Sequence, residues 1–302
     1  AHALLAKLYI NAEVYTGDQH WQEAIDQVDA IDALGHWALA GDYFDNFNAT
    51  NEGSPENIFA VPYDEVFAQG FNLPMMTLHY SSQATYNLTA QPWNGYVTLQ
   101  EFYESYEAND TRRASILIGQ QFSSTGEPLV DASWEQPDPA DPEKPFDPDG
   151  EILIFTPEIN ELEPNALRQA GGRIAKFPYE LGATENLNND YPIFRYGDMV
   201  LLKAEALWRL NNGDANALTL VNSIRARAGV APLAALTADD LLAERGREMY
   251  AEGQRRQDLI RFGRFTNSSW WEKNPSEPFR TLFPIPDPQR LANDQLQQNP
   301  GY

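Results

Sequence analysis

Two stretches near the C-terminal end repeat apolar residues at three- and four-residue steps. The residues at these steps are Val200, Ala204, Leu207, Ala217, Val221, Ile224 and Ala228. This period predicts two amphipathic helices. Residues 211–214, Asn-Asn-Gly-Asp, predict the turn between them, because Asn and Gly tolerate a positive φ. We expect Asp198 to cap the first helix, where its side chain can accept a free backbone N–H.

Residues 237–261 continue the helical period and predict a third helix. Thr237 and Asp240 at its start resemble a capping box. The helix mixes basic and acidic side chains at Glu244, Arg245, Arg247, Glu248, Glu252, Arg255, Arg256, Asp258 and Arg261. Because arginine favours buried pairs with carboxylates, this mixture predicts an ion-pair lattice rather than a phosphate or nucleic-acid site. Glu252 and Arg256 are expected to pair across one helical turn.

A similar pair of helices is predicted at the start of the chain, over residues 4–15 and 21–34. Its apolar faces are Leu4, Leu5, Leu8, Tyr9 and Ala12 in the first helix and Ala24, Ile25, Val28 and Ile31 in the second. Both pairs run from a helix through a Gly-Asp turn to an alanine-led helix, which is typical of tetratricopeptide repeats. Because no capping residue precedes the first helix, we expect further residues upstream.

The fold class that follows is mostly α. We expect tetratricopeptide-like helical repeats with a large irregular, loop-rich insertion that carries short strands. The expected units are a helix pair at residues 1–35, the insertion at 36–190, and a second repeat with an ion-paired helix and a C-terminal segment at 191–302. Within the insertion, the pattern predicts a strand over 151–156 and a helix over 98–118. The last part of that helical stretch is expected to carry a structural ion pair between Asp110 and Arg112.

Four runs carry a resemblance to a known family. They are residues 195–206, RYGDMVLLKAEA; 221–229, VNSIRARAG; 244–261, ERGREMYAEGQRRQDLIR; and the ending, FPIP at 283–286 with QNPGY at 298–302. In this order they resemble the C-terminal half of the SusD/RagB family. The resemblance implies a short strand within residues 54–61 and a preceding helical segment. It also implies non-catalytic glycan capture on the extracellular face of the outer membrane by a lipid-anchored protein, beside a TonB-dependent, SusC-like transporter.

The charge of the chain disfavours some classes of binding partner. The net charge is −23, and almost all of it falls before residue 191. Such a field opposes binding to nucleic acid and to anionic lipid headgroups.

The chain has no cysteine, so disulfides, zinc thiolates and a cysteine nucleophile are excluded. We expect no cofactor and no metal site. Asp147, Asp149 and Glu151 superficially resemble a calcium loop, but the intervening proline and the missing ligand spacing weaken that interpretation.

The candidate ligand-binding residues lie in the loop region 66–95, which is poor in charge and rich in aromatic and amide side chains. A pyranose stacks its C–H face on an aromatic ring and offers hydroxyls to amides, so this composition suits a neutral sugar. The predicted binding residues are Phe71, His79, Tyr80, Tyr86, Trp93 and Asn94. Trp93 lies between a proline and Asn-Gly, as expected for a displayed turn. The alternative is that these rings form the core of the insertion. The resemblance implies that a loop near this place supplies an aromatic platform, and the uncharged composition favours a neutral glucan such as laminarin.

Two alternative functions are a glycoside hydrolase and a protein-binding adaptor. A glycoside hydrolase needs paired carboxyl groups, but no Asp or Glu lies between Glu65 and Glu101, which argues against catalysis in the aromatic loop. A tetratricopeptide-type adaptor that binds a peptide or protein is compatible with the repeats, and it is compatible with glycan binding as well.

Overall fold

The computed structural model describes residues 1–131, 150–163 and 166–302. Asp147 and Asp149 of the candidate calcium loop lie outside these residues. The α-helices are α1 His2–Ile10, α2 Ala12–Thr16, α3 Trp21–Leu34, α4 Leu73–Thr77, α5 Ser82–Tyr86, α6 Gln100–Glu104, α7 Tyr196–Leu210, α8 Ala215–Arg227, α9 Ala238–Glu248, α10 Arg255–Arg261 and α11 Asp287–Ala292. The strands are β1 Asn57–Val61, β2 Ile116–Leu117, β3 Gly119–Gln120, β4 Ile154–Phe155, β5 Arg173–Ile174 and β6 Tyr191–Arg195. Short 3-10 helices lie at Tyr43–Asn46, Asn51–Gly53, Thr111–Ser115 and Pro278–Thr281.

The two helix pairs stack on each other, although 160 residues of chain separate them. The α1/α3 pair packs on α7, and α7 packs in turn on α8 and α9. Their shared core contains Ala3, Ala6, Ile10, Trp21, Ala24, Ile25, Val28, Ile31, Met199, Leu202 and Ala206. The predicted fold, mostly α with tetratricopeptide-like repeats, is confirmed.

The predicted apolar face of the first helix is only partly buried: Tyr9 packs against the core and Ala12 is buried, but the leucines face away from it. Ala3, Ala6 and Ile10 face the core, whereas Leu4, Leu5 and Leu8 are 49%, 38% and 48% exposed. Small residues three apart let the helix backbone approach α3 and α7 closely. The helix is therefore apolar on two sides, and periodicity alone could not choose between them.

The α7 helix begins without the predicted cap. Asp198 is buried and pairs instead with Lys7 and Arg245, at Oδ2–Nζ 2.7 Å and Oδ1–Nη2 2.9 Å. The free N–H groups at the helix start donate to Glu56, a residue of the insertion: Tyr196 N–H to its carbonyl and Gly197 N–H to Oε2. A local cap was expected, but a distant carboxylate supplies it.

The predicted helix over 237–261 is two helices. The capping box of Thr237 and Asp240 at its start is confirmed. The chain then leaves helical geometry at Ala251, φ 59°, and Gly253, φ 74°. This turn directs Glu252 towards Arg195 and Lys176, so the expected pair with Arg256 does not form. Arg256 donates to backbone carbonyls of residues 280 and 281 instead.

The insertion is built from short antiparallel pairs: β1 with β6, β2 with β5, and β3 with β4. The register of the first pair sets Asn57 opposite Arg195 and Val61 opposite Tyr191. The predicted strand over 151–156 is reduced to β4. The predicted helix over 98–118 is reduced to α6 and a 3-10 turn at Thr111–Ser115. An aromatic cluster fills the interior, with Tyr43, Phe47, Phe71 and Phe177 packed edge to face.

A buried ion-pair lattice joins the insertion to the helices, as the sequence predicts. Arg195 contacts Glu56, Glu248 and Glu252, with Nη1–Oε1 2.6 Å to Glu248 and Nε–Oε2 2.7 Å to Glu252. Arg112 pairs with its neighbour Asp110, as expected, at 2.8 Å, and also with Glu244 and Glu248. Burial alone would raise the pKa of Glu248, but Arg227, Arg195 and Arg112 hold that pKa well below its usual range.

Candidate functional site

A cleft of about 560 Å³ opens between α5 with its following loop and the segment 128–130. Its lining residues are Tyr80, Ser81, Gln83, Ala84, Asn87, Leu88, Gln91, Pro128, Leu129 and Val130. None of these residues is charged, although the chain carries a net charge of −23. Hydroxyls and amides supply the polar part of the lining, and aliphatic side chains supply the rest.

The two walls of the cleft are held together by hydrogen bonds. Ser81 Oγ donates to the Val130 carbonyl at 3.1 Å, and Ser124 N–H donates to the Ala84 carbonyl at 2.9 Å. Beneath them, His79 Nδ1 accepts Ser81 N–H at 3.1 Å, and His79 Nε2 lies 3.5 Å from Asp131 Oδ2. Nδ1 is therefore the acceptor nitrogen, which directs the other ring nitrogen to the carboxylate. The protein's own hydrogen bonds therefore shape the cleft.

A tight turn follows the cleft in the chain and displays two aromatic rings. Trp93 N–H donates to the Met75 carbonyl, and the N–H groups of Gly95 and Tyr96 both donate to the Met76 carbonyl. A side chain at Gly95 would place its Cβ 2.9 Å from that same carbonyl oxygen, so the turn requires glycine there. Trp93 is 49% exposed and Tyr96 is 61% exposed.

The turn is continuous with the cleft. Gln91, a lining residue, is exposed; Pro92 is buried; and Trp93 is exposed again. Asn94 takes a left-handed conformation, φ 54°, and its side chain bonds inward to the Arg168 carbonyl and Arg173. Trp93 is not itself a lining residue, so the cleft and the aromatic turn are distinct features that are adjacent in the chain.

The six predicted binding residues occupy different environments. Tyr80 lines the cleft and Trp93 is displayed beside it. Phe71 is 8% exposed in the aromatic cluster and His79 is fully buried, so neither can touch a ligand in this conformation. Asn94 shapes the turn through its side-chain bonds. Tyr86 packs edge-on against Tyr179, and burial raises its pKa to about 12.

Several residues of this surface were not among the predicted ones. Gln83, Asn87 and Gln91 lie in the same amide-rich loop, so composition gave a signal for them. Tyr96 follows the Trp-Asn-Gly turn directly, and its place next to a displayed tryptophan was a usable signal. Residues 128–130 come from another part of the insertion and gave no signal, because only the fold brings them to the cleft.

No metal site is evident in residues 1–131, 150–163 and 166–302, where no three His, Cys, Asp or Glu side chains are grouped to hold an ion. Among the helices of the described residues, none combines the length and the apolar character needed to cross a bilayer.

The SusD family model matches residues 165–302. These residues include the β6–α7 junction, the α7/α8 pair and the ion-paired α9 and α10. This C-terminal part of the chain is similar to the SusD family. Among curated SusD relatives, the starch-binding protein SusD of Bacteroides thetaiotaomicron is 34% identical over 124 residues, which cover 38% of this chain and 22% of that protein. The SusD-like protein P2 of Formosa agariphila is 25% identical over 319 aligned residues, covering 96% of this chain and 58% of that protein.

Solved structures extend the likeness in fold to the whole chain. Surface glycan-binding protein A from Bacteroides thetaiotaomicron aligns with a TM-score of 0.72 and 24% identity, over 100% of this chain and 64% of that one. The same protein in complex with laminarihexaose aligns with a TM-score of 0.70, over 98% and 63%. The chain therefore spans less than two thirds of the length of these proteins.

Proposed function

We propose that this chain belongs to a non-catalytic, cell-surface glycan-binding protein that captures a neutral glucan of the laminarin type. We further propose that it delivers the glycan to a TonB-dependent, SusC-like transporter, from the extracellular face of the outer membrane and through a lipid anchor outside these residues. The observation that carries the glycan proposal is the uncharged cleft beside the displayed rings of Trp93 and Tyr96.

The chemistry of the surface suits a neutral sugar. The rings of Trp93 and Tyr96 offer flat faces for the C–H side of a pyranose. Gln91, Asn87 and Tyr80 provide donors and acceptors for its hydroxyls. A surrounding acidic surface would repel a polyanionic glycan, which favours a neutral one.

The related proteins support the choice of glucans to test. The complex with laminarihexaose makes a β-glucan the first candidate, and the name of the starch-binding relative makes starch the second. Both are neutral glucose polymers, so the cleft chemistry does not separate them.

A hydrolytic role has less support. The described residues that line the cleft include no carboxyl group. Asp131, next to Val130, is buried and bound by Arg168 Nε at 3.1 Å. Hydrolysis of a glycosidic bond normally needs a pair of carboxyl groups, one on each side of the bond.

The test of glycan binding is affinity electrophoresis through gels that contain laminarin, starch or an acidic polysaccharide. We expect retardation by laminarin, and we expect Trp93→Ala to weaken the binding about tenfold or more, because it removes a stacking surface worth roughly 1–2 kcal/mol.

Tyr15→Ala serves as the matched control, because it removes an exposed ring from α2, far along the chain from the cleft. Its mobility should equal that of the parent protein. Absence of retardation by every neutral glucan tested would refute the proposal, and unchanged retardation of Trp93→Ala would move the binding surface away from this turn.

The protein-binding alternative is supported by a different surface. Leu4, Leu5 and Leu8 form an apolar face on α1, and each of them is between 38% and 49% exposed. We propose that a helical segment upstream of the 302 residues packs there, in keeping with stacked repeats.

We also propose that the chain is organised as three units, residues 1–35, 36–190 and 191–302. The first and last contain the stacked helices, and the middle one contains the cleft.

A further inference from the structure

Arg173 differs from the other buried arginines of the described residues. Arg112, Arg195, Arg225, Arg245 and Arg261 each pair with at least one carboxylate. Arg173 is 1% exposed, and within the described ranges it meets no carboxylate. Burial accordingly lowers its pKa to about 10.

All the acceptors of Arg173 are neutral oxygens that belong to two segments. Nη1 donates to the carbonyls of Ala170 and Gly171, both at 2.7 Å. Nη2 donates to the Arg168 carbonyl at 2.5 Å and to Asn94 Oδ1 at 2.8 Å. The guanidinium carbon lies 4.7 Å from the centre of the Phe155 ring, while Nε has no hydrogen-bond partner among the described atoms.

One of these acceptors fixes the displayed turn. Asn94 also donates from Nδ2 to the Arg168 carbonyl at 3.0 Å, so its amide is held on both sides. The supporting segment is itself rigidly packed, because a Cβ at Gly171 would lie 2.6 Å from Val97 and a Cβ at Gly172 would lie 2.3 Å from Ile116. Thr98 N–H donates to the Gly172 carbonyl at 2.8 Å, which ties down the far end of the turn.

A buried guanidinium that is bound only by neutral oxygens is unfavourable compared with a well-packed apolar side chain. Its fork of donors can, however, hold several oxygens in one fixed arrangement, which neither an apolar side chain nor a lysine can do. The residue that gains from this arrangement is Asn94, which has a left-handed backbone and directly follows the exposed Trp93.

We propose that Arg173 is a positioning residue for the ligand surface: through Asn94 it holds the 93–96 turn so that the Trp93 ring is presented in a fixed orientation. This inference rests on the proposed glycan binding for its affinity readout. A binding surface that is already ordered loses less conformational entropy when the ligand binds, so the hold on the turn should appear as affinity.

The experiment compares Arg173→Met, Asn94→Gly and Asn94→Ala with the parent protein. Laminarin affinity is measured by electrophoresis, and the accessibility of the Trp93 ring is measured by acrylamide quenching, as the difference between each protein and its Trp93→Phe counterpart. Asn94→Gly is the decisive variant, because glycine accepts the positive φ and loses only the side-chain tether. Glu272→Gly, at another positive-φ position outside the cleft, is the control.

We expect Arg173→Met, Asn94→Gly and Asn94→Ala all to weaken laminarin binding about tenfold and to raise the quenching of Trp93, with Glu272→Gly unchanged in both. If Asn94→Gly binds and quenches like the parent, the tether has no positioning role and the proposal is wrong. If Arg173→Met does not fold, Asn94→Gly decides alone. If the parent protein binds neither laminarin nor starch, the proposed function fails, while the quenching of Trp93 still tests the positioning.

Discussion

Glu248 shows how single side chains hold this protein together. It is fully buried and contacts Arg112, Arg195 and Arg227, which reach it from three different parts of the chain. Each of these arginines also contacts a second carboxylate, so no charge in the group depends on one partner. A buried ion pair adds little net stability over an apolar pair, but the loss of one partner leaves a buried charge uncompensated.

The lattice predicts a dependence of stability on pH. The pKa values of Asp198, Glu205, Glu244, Glu248 and Asp258 are all lowered by neighbouring cations, against the effect of burial. In an unfolded chain these carboxyls would bind protons near pH 4, whereas in the folded chain they do so only at lower pH. The unfolded state therefore binds more protons in this range, and the free energy of unfolding should fall as the pH drops below about 5. The free energy of unfolding is to be measured by urea titration at several pH values between 7 and 3.

Glu248→Gln provides the matched variant for this prediction. At pH 7 it should lower the free energy of unfolding by about 3 kcal/mol, because three arginines lose a buried counter-charge. Asp239→Asn, which removes one partner of the exposed Arg264 pair, should change it by less than about 1 kcal/mol. A stability that is flat with pH, or an equal effect of the two variants, would contradict the assigned role of the lattice.

At the scale of elements, the break between α9 and α10 decides where the charged side chains point. A continuous helix over 237–261 would carry Glu252 and Arg256 on the same face, one turn apart. The actual break at Ala251 and Gly253 sends Glu252 inward, and Tyr191 Oη donates to the Ala251 carbonyl at 3.2 Å. Gly253 weakens a continuous helix locally, and the buried pairs of Glu252 with Arg195 and Lys176 also favour the break.

Ala251→Gly should stabilise the protein. A left-handed conformation is unfavourable for alanine by roughly 1–2 kcal/mol, which exceeds the roughly 0.5–1 kcal/mol that glycine loses in backbone entropy on folding. We expect a gain of about 0.5–1 kcal/mol in the free energy of unfolding, measured by urea titration.

Ala243→Gly is the control for this change. The same substitution inside α9 should destabilise the protein by about 1 kcal/mol, since glycine is a poor helix former. If both variants destabilise equally, the positive φ at residue 251 is not the controlling factor.

At the scale of the whole molecule, surfaces of different character lie on different parts of the chain. The repeat helices carry the exposed leucines of α1, and the insertion carries the uncharged cleft and its aromatic turn. The part of the chain before residue 191 holds almost all of the net negative charge. The proposed protein-binding and glycan-binding surfaces are therefore formed by different segments of the chain.

The exposed face of α1 gives a prediction at this scale. Replacing Leu5 and Leu8 together by glutamine should change the free energy of unfolding of this chain by less than about 1 kcal/mol, because neither side chain is buried. The same change should lower the binding of a hydrophobic dye and reduce self-association, measured by fluorescence and light scattering.

Ala6→Gln on the opposite face of the same helix is the comparison. It inserts a larger polar side chain into the α1–α3–α7 core and should destabilise by about 2–3 kcal/mol or more. If the leucine double variant is as unstable as Ala6→Gln, then Leu5 and Leu8 are packed in the folded protein and are not available to a partner.

The sequence by itself determined the elements whose signals are local. Periodicity located the two helix pairs, Thr237 and Asp240 located the start of α9, and the mixture of Arg and Glu indicated buried pairs. Composition located the loop region of the cleft and singled out Trp93 and Tyr80 within it. These features depend on residues close together in the chain, so the sequence carries them directly.

Tertiary structure alone decided which face of a helix is buried, which side chains bind each other, and which segments line the cleft. It selected Ala3 and Ala6 over the leucines of α1, because helices cross closely only at small residues. It replaced the expected cap at Asp198 by Glu56, and it buried Phe71 and His79 while it left Trp93 exposed. It brought residues 128–130 to the cleft and Arg173 beneath Asn94. All of these outcomes depend on residues far apart in the chain, whose contacts form only when the whole core has packed.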